Sequence, residues 1–168
     1  CIVRADRIRV LACGSVAGVD TRRFSFRPEF RAEIRCEYSI PDDALVFIFI
    51  GRITREKGIL DLLAAFEDAD QSAAGIHLML VGHDEDGMGA PIAAASNRLP
   101  GRIHTSKFTQ FPEKYFCAAD VCCLPSYREG FGSVLIEAAA VGLPAIASRI
   151  YGITDAVDDG TTGILHEA

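Results

Sequence analysis

The 168-residue chain has no tryptophan, only two methionines, and no apolar run longer than Ala44 to Ile50. A membrane helix needs about 20 apolar residues, so a run of this length is strand-sized. No Cys-x-x-Cys pair occurs among Cys1, Cys13, Cys36, Cys117, Cys122 and Cys123, and no histidine stands at metal-ligand spacing from a cysteine pair. The cysteines read instead as buried, reduced thiols of a cytosolic protein. Neither G-x-x-x-x-G-K-[ST] nor G-x-G-x-x-G is present, which removes the P-loop and argues against a dinucleotide-dependent oxidoreductase. The first residue is Cys1, and no signal-peptide pattern opens the chain, so it reads as a piece of something longer.

Basic charge is also scarce, with 17 Lys and Arg against 23 Asp and Glu and a net charge of −6. A global basic footprint for nucleic acid is absent. Yet residues 1–35 carry eight Arg and four acids, a net of +4. That stretch is a phosphate-facing or partner-facing edge, or simply a solvated arginine-rich helix face. The high apolar fraction excludes a disordered chain, and the length suits one domain.

From residue 45 a rhythm sets in. Leu45–Ile50 and Ile76–Val81 are continuously apolar, as strands covered on both faces are. Shorter strands are expected at 7–13, 102–105, 120–124, 145–148 and 163–166. Helices are expected at 28–38, from about Lys57 to Ala69, around 91–97, and at 113–119, 133–141 and 153–158. Ile59, Leu62, Leu63 and Phe66 form one helical stripe, and Thr54 is a plausible cap. Alternating strands and helices predict a Rossmann-like three-layer α/β/α domain with a parallel sheet. Ligands of such sheets sit in the loops after the strands.

Two post-strand loops carry chemistry. In Gly51-Arg52-Ile53-Thr54-Arg55-Glu56-Lys57-Gly58, Gly51 permits a tight turn. Arg52 can fork onto phosphate oxygens, Lys57 adds a point charge, and the helix amino end adds N–H donors. A diphosphate site and plain pairing with surface acids both fit this cluster. In Pro125 to Glu137, Gly130 and Gly132 expose backbone N–H groups. Glu137 can accept two hydrogen bonds from a vicinal diol such as a ribose offers, and Glu129 can accept from a sugar hydroxyl. The plainer roles are helix stabilisation for Glu137 and solvation for Glu129.

Glu129 and Glu137 stand in an E-x7-E pattern. The run REGFGSVLIEAAAVGLPAIAS, with GRITREKG upstream, resembles retaining glycosyltransferases of the GT-B fold, family four, glycosyl transferases group 1, of bacterial type. The similarity extends through VGHDEDG, ADVCCLPS and DAVDDGTTGIL, and GSVAGVDTRRF looks like the loop after the interdomain linker.

The resemblance implies that the chain is one half of a GT-B fold. Residues 1–20 would be the tail of an acceptor domain and the linker. Residues 21–168 would be the donor-binding domain, truncated at its C-terminal end. By the same resemblance Arg52 and Lys57 are the diphosphate pair, Glu137 the ribose acid and Glu129 the acid that holds the transferred sugar. The backbone amides of Gly130, Phe131, Gly132, Ser133 and Val134 face sugar and phosphate, Phe108 and Thr109 read the base, Gly18 lines the cleft, and Gly51 belongs to the donor site through its turn.

The implied activity is transfer of a sugar, with retention, from a nucleotide sugar (a UDP-sugar by family frequency) to an acceptor hydroxyl. The setting is capsule, lipopolysaccharide or glycan synthesis. No metal and no cofactor is expected, and Asp84, Glu85 and Asp86 read as a solvated turn. Carbohydrate or lipid-linked acceptors, and any attachment to the inner membrane of an otherwise cytoplasmic enzyme, would belong to the other half. The isolated domain is expected to be inactive in transfer. A GT-B sugar-nucleotide epimerase and a mere nucleotide-binding module are the alternatives. Lys107 and Ala17 depart from the family pattern, where glycine and a polar residue are common. His77, His83, His104 and His166 read as structural or solvent-facing.

Overall fold

The computed structural model describes residues 18–72 and 75–167. The expected strand at 7–13 and most of the expected linker lie outside the described residues. Among those described, the helices are α1 (Pro28–Glu37), α2 (Ile59–Ser72), α3 (Gly89–Arg98), α4 (Pro112–Ala118) and α5 (Ser133–Val141). The strands are β1 (Leu45–Ile50), β2 (Ile76–Val81), β3 (Ile103–Ser106), β4 (Val121–Leu124), β5 (Ala145–Ser148) and β6 (Gly163–His166). They form one sheet in the order β3-β2-β1-β4-β5-β6, with every neighbouring pair parallel.

This is the expected Rossmann-like α/β fold. The continuous apolar runs fall in the sheet's middle. All six residues of β2 are buried, as are Val46, Ile48 and Phe49 of β1. The α2 stripe Ile59, Leu62, Leu63 and Phe66 is buried with them. Each such side chain contributes about 1.5–3 kcal/mol when removed from water. The chain winds outward through β1, β2 and β3, then returns to β4 beside β1. The strand order reverses there, and a crevice opens beyond the carboxyl ends of β1 and β4. The loops after those two strands are the two motif loops.

The arginine-rich start is partly structural. Arg35 is only 1% exposed in its side chain. Its guanidinium donates to the carbonyls of Ala118 (2.9 Å), Pro41 (2.8 Å), Asp42 (3.0 Å) and Ala44 (3.0 Å). It also pairs with Asp120 at 2.9 Å, while Arg31 takes the other carboxylate oxygen at 2.9 Å. Asp120 accepts the Val46 amide as well, at 2.8 Å. One carboxylate thus ties α1 and β1 to the start of β4. Burial, with Arg31 alongside, lowers the Arg35 pKa from its usual range. Neither a phosphate-facing edge nor a solvated face describes these two arginines.

Local expectations change in places. Residues 151–156 are turns, not a helix, and Gly152 has φ +91°. A Cβ there would lie 2.6 Å from the carbonyl oxygens of Glu129 and Gly130, so this turn is moulded against the second motif loop. The helix expected from Lys57 begins at Ile59, after a 3-10 turn at Arg55–Lys57. Thr54 makes no side-chain cap; Asp86 accepts the Arg55 amide instead, at 3.0 Å. The acids of the β2 loop are solvent-exposed as expected, but they also serve as acceptors for backbone amides. Asp84 accepts the Met88 and Gly89 amides at 2.8 Å each at the start of α3, and these bonds lower its pKa.

Cys117, Cys122 and Cys123 are buried free thiols, and burial raises the Cys123 pKa to about 12. Cys36, also free, is exposed rather than buried. His77 and His104 stack, with Nδ1 of one 2.9 Å from Nε2 of the other.

Candidate donor-binding site

The β1 and β2 loops run on in register beyond the sheet. Gly51 donates to Val81 O (3.0 Å), Ile53 to His83 O (2.8 Å), and Glu85 to Ile53 O (3.2 Å). This zipper places Glu85 beside Arg52, and the two pair at 3.2 Å. The β4 loop is fastened to the first motif from the other side. Tyr127 N donates to Glu56 O at 2.9 Å, and its hydroxyl donates to Asp61 at 2.6 Å. Gly58 has φ +69°, and a Cβ there would lie 2.0 Å from Pro125 O. Only glycine lets the two loops approach this closely.

This fastening brings Lys57 onto Glu129. Lys57 Nζ donates to Glu129 Oε1, which also accepts from the buried Ser126 hydroxyl at 3.2 Å. Both members of the Lys57–Glu129 pair are 14% exposed, whereas Arg52 is 62% exposed. Exposed pairs are worth little, so Glu85 holds Arg52 weakly and Arg52 can turn to a ligand. Both cations thus pair with carboxylates.

Helix α5 begins after Gly132, with no side-chain cap at its amino end, so its first N–H groups face the crevice end of the sheet. Glu137 lies one turn in. Burial pushes its pKa above the usual carboxylate range; Arg23 lowers it and Glu113 raises it further.

Two adjoining cavities occupy the crevice. The larger, about 660 Å³, is lined by Arg52, Phe108, Thr109, Val134 and Glu137 among others. The smaller, about 310 Å³, is lined by Lys57, Glu129, Phe131, Gly132 and Ser133 among others. Ile50, Gly51, Arg52 and Val134 line both. Such volumes match small-molecule sites. The structure therefore brings Gly51, Arg52, Lys57, Phe108, Thr109, Glu129, Phe131, Gly132, Ser133, Val134 and Glu137 to one crevice. Gly130 lies on the same loop without lining either cavity. Gly18 is exposed and lines neither.

Sequence reasoning missed Gly82, His83, Glu85 and Pro112, which line the larger cavity. The signal for three of them was present, since they directly follow β2. Among the described residues no three His, Cys, Asp or Glu side chains converge as a metal-ligand set. No helix among them is long and apolar enough to cross a membrane.

The family model for glycosyl transferases group 1 matches residues 30–168. A D-inositol 3-phosphate glycosyltransferase of Segniliparus rotundus is 34% identical over 146 residues, covering 83% of this chain and 32% of that protein. The chain spans about a third of the length of such curated relatives. The structure of Anabaena Alr3699/HepE in complex with UDP-glucose superposes with a TM-score of 0.79 at 23% identity, covering 89% of this chain and 42% of that one. The C-terminal domain of the group 1 family protein LpcC from Francisella tularensis gives a TM-score of 0.74 at 21% identity, covering 89% of this chain and 80% of that one. The chain belongs to the glycosyl transferases group 1 family.

Proposed function

We propose that this chain is the donor-binding domain of a retaining glycosyltransferase, with residues 21–168 as that domain and 1–20 as the link from an acceptor domain. The donor is a nucleoside diphosphate sugar, UDP-linked in the first instance. One observation carries the reading: the two cavities adjoin, and their shared wall holds Arg52. A ligand lying along both would meet Glu137 in the larger cavity, Arg52 at the shared wall, and Lys57 with Glu129 in the smaller one. That order of groups suits ribose, diphosphate and sugar in turn. The complex of HepE with UDP-glucose supports a uridine nucleotide.

In the proposed reaction the bond from the anomeric carbon to the diphosphate oxygen breaks, and its electron pair stays on the diphosphate. Arg52, Lys57 and the α5 amino end stabilise that charge. The acceptor oxygen bonds to the same face of the anomeric carbon, and its proton passes to the departing phosphate oxygen. Glu129 orients the sugar through its hydroxyls. No metal or cofactor enters this proposal. The acceptor would be held by the other half of a two-domain enzyme working in the cytoplasm on a polysaccharide, lipopolysaccharide or glycan precursor. Relatives named for teichuronic acid and capsular polysaccharide biosynthesis support that setting.

Thermal unfolding with UDP, GDP, ADP and their sugars tests the reading. A ligand of the folded state raises the melting temperature, by about 2.7 kcal/mol of added stability at 100 times its Kd. A rise with one nucleotide is expected. No rise with any of them contradicts the proposal.

A further inference from the structure

Arg23 stands outside both motifs and lines neither cavity, yet it bonds to residues that flank the lining of the larger one. Its Nε donates to Glu113 Oε2 at 3.0 Å, and Nη2 approaches the same oxygen at 2.9 Å. Nη2 also donates to the Gln110 carbonyl. Gln110 follows Phe108 and Thr109, and Glu113 sits in the first turn of α4, next to Pro112. Phe108, Thr109 and Pro112 all line the larger cavity. Glu113 is 10% exposed in its side chain and Arg23 43%, so the contact is sheltered at the carboxylate. Arg23 thereby ties the 108–111 loop, at Gln110, to the helix that follows it, at Glu113. Within that segment, Phe111 N donates to Thr109 Oγ1 at 3.0 Å.

We propose that Arg23 and Glu113 are a positioning pair for the nucleoside end of the donor site, holding the 108–111 loop in place against the first turn of α4. This rests on the nucleotide-binding reading above. The electrostatics agree with the geometry. Arg23 favours the ionised Glu137 and Glu113 disfavours it, both against the larger effect of burial. The other charged or titratable groups that face the cavity are Arg52 from the β1 loop and His83 and Glu85 from the β2 loop.

The pair predicts effects that a general loss of structure does not. Arg23→Gln removes a positive neighbour and raises the pH at which Glu137 ionises. Glu113→Gln keeps an acceptor for Arg23, removes a negative neighbour and lowers that pH. Arg23→Lys keeps the charge but not the fork; it leaves the ionisation in place and still loosens the loop. Carboxyl NMR of Glu137 in the ligand-free chain, assigned with Glu137→Gln, reads the first effect.

Calorimetric titration with UDP and with pyrophosphate reads the second. Arg23→Gln and Arg23→Lys are expected to weaken UDP about tenfold, the scale of one lost charge-assisted hydrogen bond, with pyrophosphate within about twofold. Midpoints that shift in the same direction for Arg23→Gln and Glu113→Gln, or equal weakening of UDP and pyrophosphate, overturn this proposal alone. A wild-type chain that binds none of UDP, GDP and ADP overturns the nucleotide reading, and this proposal with it.

Discussion

Lys57 donates to Glu129 across 72 positions of sequence, joining the loop after β1 to the loop after β4 at the point where the strand order reverses. The cation proposed for the diphosphate and the carboxylate proposed for the sugar are therefore already in contact in the free chain. A donor must part them, taking Lys57 by its phosphate and Glu129 by its sugar hydroxyls.

This contact separates the two residues experimentally. Lys57→Ala is expected to weaken UDP about tenfold or more, by removing a charge-assisted bond. Glu129→Gln frees Lys57 and leaves UDP affinity unchanged or higher. It should, however, abolish any preference for a UDP-sugar over UDP. Calorimetric titration of both ligands into both variants checks this pattern.

Glu137 is held above the usual carboxylate range by burial. The folded chain therefore keeps that proton more tightly than the unfolded one. Its contribution to stability is full below the unfolded pKa and is lost as pH rises through the folded pKa. Glu137→Gln is expected to match the wild type in acid and to be the more stable at neutral pH, while losing nucleotide affinity. Urea unfolding at several pH values, paired with UDP titration, measures both sides of that exchange.

The histidine pair gives the opposite sign. Burial, and then His77, depress the His104 pKa to about 4, and burial also lowers that of His77. The unfolded chain binds more protons between about pH 6.5 and that value, so stability falls as pH is lowered through this window. His104→Phe, which keeps the stacking, is expected to flatten the fall. Thermal melts from pH 7 to pH 4 test it.

Arg35→Ala would leave Asp120 without its buried partner and four carbonyls without their donor. Removing one member of such a buried pair costs about 3–5 kcal/mol. Chemical denaturation should show the loss. Arg52→Ala, at an exposed pair, should change stability by less than about 1 kcal/mol.

Much of the fold was legible because its signals are local. The continuous apolarity of Leu45–Ile50 and Ile76–Val81 marked buried parallel strands. The motif loops could be read for the same reason, since each follows a strand and opens a helix. What escaped depends on partners distant in sequence. Thr54 lost its cap to Asp86, and Glu85 met Arg52, because the β1 and β2 loops continue in register, which no local pattern reveals. Arg35 looked like surface charge, yet it found four carbonyls inside. The expected helix after Ile153 gave way to turns packed against the carbonyls of Glu129 and Gly130.

The central claim is that the crevice between the β1 and β4 loops takes a nucleoside diphosphate sugar along both cavities. Titrating UDP-glucose and UDP into the nitrogen-15-labelled chain tests it most directly. Amide shifts are expected at Gly51, Arg52, Thr109, Val134 and Glu137 with both ligands, and at Glu129 and Phe131 with the sugar-bearing one alone. Shifts confined to the amino ends of the strands, or none with UDP, GDP or ADP donors, would contradict it.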